Sequence, residues 1–337
     1  MHAIDVAALA DSYEPLVRTL SSDPGVLIRG NVPLREISRW RIGGPCDLLL
    51  EPITKDGFSR VLQALQRIPA PVVVIGDGSN LLFDDAGFRG VVIKVGRHLA
   101  SVRIEDHRVT AQAGVWTPHF SRKVGNAGLG GVQHAIGIPG TLGGLLVMNG
   151  GSQRKGIGDH VVSVTCFDRS GDMVVLDKAA CGFRYRTSTL QSSELVVVEA
   201  EFEFDLVEPS VARREMLDIM ASRRKKFPLR LPNCGSVFLS DPAMYSIVGP
   251  PGKAIQETGL RGVRMGDAQI APEHANFIVN LGRASSADVL SLIHLIRERV
   301  HARTDFWLRC EVRYLSPMSG EIVPAHEVLL KRDLDHP

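Results

Sequence analysis

Four glycines fall within the eight residues Gly137-Ile138-Pro139-Gly140-Thr141-Leu142-Gly143-Gly144. Each glycine costs backbone entropy and offers no side chain to pack, so the stretch is expected to be a loop rather than the interior of a helix or strand. A second glycine-rich stretch, Gly76-Asp77-Gly78-Ser79-Asn80-Leu81-Leu82, lies about sixty residues upstream, directly after the apolar run Val72-Val73-Val74-Ile75. Bare backbone lets a flat or anionic group approach successive N–H groups, as in an anion-binding nest. A phosphate-bearing cofactor is the expected cargo. Tight turns needing positive φ are the competing reading, which weakens when two such loops each follow a strand-like run.

The glycines alone leave the cofactor open, but they exclude two families of site. The upstream loop reads Gly76-x-Gly78-x-x-Leu81, without the third glycine of the dinucleotide fingerprint, and no helical period follows it, which argues against a Rossmann domain. No Gly-Lys-Ser or Gly-Lys-Thr triplet occurs, so a P-loop is absent.

The chain has 337 residues, more than one core usually holds, so two or three domains are expected. Hydrophobic content of 44% and charged content of 23% suit a globular protein with a sizeable core, and a net charge of +2 gives no reason to invoke nucleic acid or membrane. Cys46, Cys166, Cys181, Cys234 and Cys310 are odd in number, widely spaced and free of any CxxC pair, which disfavours a disulfide framework and a zinc site and leaves no metal expected. With no basic, apolar leader after Met1 and no run of 18 apolar residues, a soluble cytoplasmic protein is expected. It is read as a monomer.

Along the chain, Val6, Leu9, Leu16, Val17 and Leu20 are spaced for a leading helix that stops at Ser21–Gly25. A strand at 48–52, an amphipathic helix at 55–68 and a strand at 71–75 make a β-α-β start. Short strands follow at 91–95 and within 102–113, then a helix at 118–127 leads into the second glycine loop. Val161–Phe167 and Met173–Leu176 bracket Asp168-Arg169-Ser170-Gly171-Asp172 as a hairpin, and 194–204 reads as a further strand. Glu208-Pro209-Ser210 resembles a domain boundary, followed by a charged helix at 211–226, a loop at 228–235, a strand at 236–239, a helix at 252–258, a strand at 275–281 and a helix at 286–301 with Ser286 as N-cap.

Ile75–Leu82, the Gly137–Gly144 stretch with Asn149-Gly150-Gly151, and Arg41-Ile42-Gly43-Gly44-Pro45 together resemble the flavin-cradling segments of the bacterial UDP-N-acetylenolpyruvoylglucosamine reductase (MurB) family. The resemblance runs from about Arg41 to Leu315. It implies an α+β architecture: a vanillyl-alcohol-oxidase or PCMH-type FAD-binding domain of two α/β subdomains over 41–206, and a smaller α+β substrate-binding domain over 212–316. Residues 1–40 and 317–337 are then a lead-in and a tail. The expected cofactor is FAD, with NADPH as co-substrate and a UDP-sugar enolpyruvate as substrate. The cofactor contacts implied are Arg41, Ile42, Gly43, Gly76, Asp77, Gly78, Ser79, Asn80, Leu81, Gly137, Ile138, Pro139, Gly140, Thr141, Gly143, Gly144 and Asn149.

Reducing an enol ether takes hydride delivery to one carbon, a proton for its neighbour and stabilisation of the enolate between them. The resemblance assigns the carboxylate-facing arginine to Arg186 in Tyr185-Arg186-Thr187-Ser188, the proton donor to Ser236 in Pro232-Asn233-Cys234-Gly235-Ser236-Val237-Phe238, and the active-site glutamate to Glu311. Read without the family, these are a solvated arginine, a turn hydroxyl and an outward-facing strand glutamate. Substrate contacts implied are Tyr185, Arg223 and Lys226 of the basic run Ser222–Lys226, and His274 of His274-Ala275-Asn276-Phe277. Two departures from the family stand out: Ser152-Gln153-Arg154 puts Gln153 where relatives carry a substrate-facing aromatic, and Leu239-Ser240-Asp241-Pro242 lacks the usual cation and amide. About fifty residues separate Arg186 from Ser236, as in the shorter, type II subclass. An alcohol or sugar oxidase of the same flavin superfamily and a nucleotide-sugar-binding paralogue are the competing functions.

Overall fold

The computed structural model describes residues 13–245 and 247–328. In chain order these form α1 (Glu14–Leu20), β1 (Val26–Pro33), β2 (Pro45–Pro52), α2 (Lys55–Leu65), β3 (Val72–Ile75), β4 (Leu81–Phe83), β5 (Phe88–Lys94), β6 (Val102–Glu105), β7 (Arg108–Gln112), α3 (Thr117–Asn126), β8 (Leu129–Gly130), α4 (Leu142–Val147), β9 (Val161–Phe167), β10 (Met173–Asp177), β11 (Val196–Glu203), β12 (Asp205–Leu206), α5 (Pro209–Lys226), α6 (Pro242–Tyr245), α7 (Pro251–Glu257), β13 (Arg264–Met265), β14 (Ala268–Ile270), β15 (Ile278–Asn280), α8 (Ser286–Thr304), β16 (Arg313–Leu315) and β17 (Ile322–Pro324). The chain divides into two compact units. One takes residues up to Asn31, Leu48–Asp77 and Val91–Arg223; the other takes Val32–Asp47, Gly78–Gly90 and everything from Arg224.

The first unit holds a sheet of order β1-β2-β5-β3, in which β3 and β5 run parallel, and an antiparallel sheet of order β10-β9-β11-β7-β6. Helix α2 buries Phe58, Val61, Leu62 and Leu65, a single 3.6-period stripe, and its start is fixed by Thr54, whose hydroxyl accepts from Gly57 N at 2.9 Å. Phe58 meets Phe167 of β9 edge-on at 5.7 Å, so this stripe packs onto the antiparallel sheet. The expected hairpin forms, with Met173 opposite Phe167.

The second unit combines a sheet of order β13-β14-β15 with a sheet of order β17-β16-β4, in which β4 pairs in parallel with β16 through Leu81–Arg313. Its core gathers Trp40, Ile255, Ile278, Ile293 and Ile296, and the Trp40 indole N–H donates to Ile278 O at 2.8 Å. Burying an indole with its donor satisfied anchors the 32–47 segment inside this unit.

Several local expectations change. Of the leading helix, Glu14–Leu20 is observed, whereas Val6 and Leu9 lie outside the described residues. The cap of α8 is Ser285, not Ser286: its hydroxyl accepts from Asp288 N at 3.0 Å while the Asp288 carboxylate accepts from Ser285 N, and Ser286 instead donates to Asp85. The segment 236–239 makes only one bridge, Phe238 to Cys310, rather than a strand. Strand β1 and the short β13–β14 pair were not foreseen, since neither shows a clean alternation in sequence.

Candidate active site

The upstream glycine loop keeps its backbone bare. Among the described residues, the amides of Asp77, Gly78, Ser79 and Asn80 have no hydrogen-bond acceptor, and Ser79 Oγ is buried without a partner. Four consecutive unpaired donors plus an orphaned hydroxyl make a site that an anionic group such as a diphosphate would satisfy. Asp77 is half-buried and closes the first unit's segment, and the loop continues into the second unit.

The second glycine stretch departs from expectation. Gly143 and Gly144 are not loop residues but the first turn of α4, with Thr141 as N-cap accepting from Gly144 N at 3.5 Å. Leu142 N and Gly143 N donate to Val115 O and Ala113 O, both at 2.8 Å, so these amides are already occupied. Gly143 lacks a side chain because a Cβ there would sit 2.9 Å from Ala113 Cβ; the glycine lets α4 press against the end of β7. Gly137, Gly140 and Thr141 keep amides without an acceptor among the described residues, and Gly140 has φ +127°. Ile138 N is taken by Ala135 O at 2.9 Å, its half-buried side chain packs against the first unit's core, and Pro139 has no N–H to give.

The two loops touch. A Cβ on Gly76 would lie 2.1 Å from Thr141 Oγ1, so only glycine allows this approach. On the same unit, Arg223 at the end of α5 lies across Gly137, where a Cβ would fall 2.2 Å from Arg223 Cδ. Burial lowers the Arg223 pKa to about 10, which leaves it cationic at neutral pH.

Arg186 adopts φ +53°, donates from Nη2 to Gly151 O at 2.7 Å and lies over the exposed Tyr185 ring at 5.1 Å. Its carbonyl accepts from Gln191 Nε2 at 2.9 Å. Eight described non-glycine residues have positive φ, and five of them are Arg41, Asn149, Gln153, Arg154 and Arg186. Left-handed backbone at bulky residues costs about 1–2 kcal/mol each and persists where surroundings over-determine it. The Asn149 side chain donates to Arg184 O at 2.8 Å and accepts from Gly158 N at 2.9 Å, tying the loop after α4 to the Arg186 segment. Gln153 edges an open groove of about 500 Å³ along α5, shared with Ser210, Arg214 and Asp218.

His134 was not foreseen. It is 1% exposed, its Nδ1 accepts from Ser152 N at 3.4 Å, and Ser152 Oγ donates to its carbonyl at 2.6 Å, clasping the strained Gln153–Arg154 turn. Burial, reinforced by Lys155, pushes its pKa down to about 4. Nothing in a lone histidine between Gln133 and Ala135 signals this.

In the second unit, Ser236 and Glu311 stand on adjoining segments. Glu311 N and Val312 N both donate to Val237 O, at 2.8 and 3.3 Å, and Phe238 bridges Cys310. Buried Asn276 clamps the Ser236 segment: Val237 N reaches Asn276 O, while the Asn276 side chain accepts from Phe238 N at 2.9 Å and donates to Phe238 O at 3.0 Å. The upstream glycine loop joins them, because Asn80 Nδ2 donates to Glu311 O at 2.9 Å and the Cys234 thiol reaches Gly78 O and Leu81 O. The Asn80 side chain, the Glu311 backbone and the backbone of Val237 next to Ser236 are thereby bonded into one neighbourhood.

Ile42 and Gly43 are buried, Ile42 in the core beside Trp40, so any contact they make to a cofactor is through backbone; Arg41 is exposed. His274 is packed edge-on to Phe227 and Phe277 with Nδ1 accepting from Asn276 N, and burial lowers its pKa. Lys226 is exposed.

The family model for an FAD binding domain matches residues 46–177, and that for the UDP-N-acetylenolpyruvoylglucosamine reductase C-terminal domain matches residues 227–315. UDP-N-acetylenolpyruvoylglucosamine reductase 1 of Corynebacterium glutamicum is 51% identical over 88% of both chains. The chain belongs to the UDP-N-acetylenolpyruvoylglucosamine reductase family. The reductase of Desulforamulus reducens is 37% identical over 90% of this chain and 98% of its own. The crystal structure of the Thermus caldophilus MurB superposes with a TM-score of 0.72 at 29% identity, covering 86% of this chain and 98% of that one. FAD is the cofactor of this reductase-family chain, held in the mixed α and β architecture expected from the sequence.

Proposed function

We propose that the protein reduces the enolpyruvyl ether of UDP-N-acetylglucosamine enolpyruvate to UDP-N-acetylmuramate with NADPH, acting as a cytoplasmic monomer in peptidoglycan precursor synthesis. The observation that supports the reading is that Asn80 Nδ2 donates to Glu311 O and Glu311 N donates to Val237 O, which bonds the Ser236 and Glu311 segments to the end of the bare-amide loop. No described helix is long and apolar enough to cross a membrane.

When bound, FAD supplies a hydride carrier that NADPH can charge and the enol ether can discharge. The amides of 77–80 and the Ser79 hydroxyl would hold its diphosphate, and the Gly76–Thr141 contact keeps the two loops at one spacing. Arg186, pre-set by its Gly151 and Gln191 bonds, polarises the substrate carboxylate so that charge can build on the neighbouring carbon. Ser236 gives its proton to that carbon; the Arg186 cation offsets the enolate charge on the way, and Glu311 assists as a protonated carboxyl that donates a hydrogen bond, since an ionised carboxylate would repel the enolate. A serine is a weak acid, and its competence here rests on the basicity of the carbanion it meets. Arg223 and Lys226 bind the substrate diphosphate.

Anaerobic NADPH oxidation followed at the nicotinamide band tests this. Oxidation that depends on UDP-N-acetylglucosamine enolpyruvate and yields one UDP-N-acetylmuramate per NADPH is expected; oxidation indifferent to that substrate, with peroxide released in air, would overturn the proposal.

A further inference from the structure

We propose that Trp116 is a cofactor-binding residue whose indole provides a stacking face for the adenine of FAD. The inference rests on the FAD reading above and extends it to a position that no motif singled out. Trp116 is 48% exposed although its neighbours Val115 and Thr117 are fully buried, so the backbone turns this one ring outward. The other two tryptophans are engaged: Trp40 is buried with its N–H bonded, and Trp307 stacks with His301 and meets the Arg297 guanidinium. Among the described residues no aromatic or cationic group stacks on Trp116.

Its placement is what gives the ring a purpose. Trp116 and Thr141 form an antiparallel bridge flanked by Thr117 N to Gly140 O at 2.9 Å and Leu142 N to Val115 O at 2.8 Å. With those bonds on the flanking residues, Trp116 and Thr141 are a non-hydrogen-bonded pair, whose side chains stand closest together on one face. That face is the one on which Thr141 Oγ1 meets Gly76. The indole therefore stands beside the junction of the two glycine loops, next to the unpaired amides of Gly140 and Thr141. Of the two ring systems in FAD, adenine is joined to the diphosphate through one ribose and isoalloxazine through the longer ribityl chain. A flat side chain next to diphosphate-binding loops thus meets adenine first, and bases stack on aromatic side chains without needing hydrogen-bond readout.

The test is equilibrium titration of the apoprotein with FAD and, separately, FMN, on wild type, Trp116→Phe and Trp116→Leu, with melting temperatures of each apoprotein as the folding control. Trp116→Leu is expected to raise the FAD dissociation constant on the order of tenfold, about 1.4 kcal/mol, and Trp116→Phe to raise it less than about threefold. FMN, which has no adenine, should bind all three equally. Unchanged FAD affinity in a folded Trp116→Leu protein, or an equal loss for FMN, would overturn the assignment. Failure of the wild type to bind FAD would instead overturn the functional proposal beneath it.

Discussion

Adding one methyl group at Gly76 is the sharpest probe of how the cofactor loops are built. In Gly76→Ala the new Cβ would lie 2.1 Å from Thr141 Oγ1, 3.1 Å from its Cβ and 3.2 Å from its Cγ2. Ordinary contact begins near about 3.4 Å, so the loops must part by about 1.3 Å, and Thr141 is 4% exposed with no open space to swing into. Overpacking of this kind costs about 1–3 kcal/mol. Because the strained loop carries the unpaired 77–80 amides, FAD affinity should fall with stability. Thr141→Ala alone loses the long 3.5 Å cap bond and should cost about 0.5–1 kcal/mol. It also removes the atom that clashes. The double variant should therefore be more stable than the sum of the singles by about 1 kcal/mol or more. Urea unfolding of the four apoproteins with FAD titrations measures the cycle. Additivity within about 0.5 kcal/mol would refute the proposed loop–loop contact.

Two further outcomes follow from the same geometry. Asn276→Ala strands Phe238 N and Phe238 O in a buried setting, which should cost about 2–4 kcal/mol by chemical denaturation and lower kcat by loosening the Ser236 segment. His134 is neutral when folded, with a pKa down to about 4 against 6.5 unfolded, so its contribution is complete above pH 6.5 and is lost as pH falls toward 4; the difference corresponds to about 3 kcal/mol. Stability measured against pH for wild type and His134→Phe should converge at low pH, and parallel curves would count against this.

Much of the fold was legible because its signals are local. The 3.6-period stripe of α2 and the Asp168–Asp172 turn between alternating strands need no tertiary information. The division into units was not, since the second one recruits Val32–Asp47 and Gly78–Gly90 from far upstream through β4–β16 pairing and the burial of Trp40. Helix α5 starts at Pro209, beside the boundary expected near Glu208, and the compact units part between Arg223 and Arg224. At the site, glycine spacing pointed to bare backbone but not to which amides stay free. Leu142 and Gly143 donate to Val115 and Ala113, partners distant in sequence, so the unpaired run is 77–80. In His274-Ala275-Asn276-Phe277 the histidine drew attention, yet the amide of Asn276 is what holds the Ser236 segment. A side chain that satisfies two main-chain groups is invisible until the backbone it clamps is known.

The most direct test separates the two halves of the reaction in Ser236→Ala by anaerobic rapid mixing at the flavin absorption band. Bleaching by NADPH should proceed within about twofold of wild type, while recovery on adding the enolpyruvyl nucleotide slows by about 10²–10⁴, the range expected for losing a positioned proton donor. Recovery at the wild-type rate, or equal slowing of both phases, would contradict the placement of Ser236 as the proton donor beside a flavin held by the 77–80 loop.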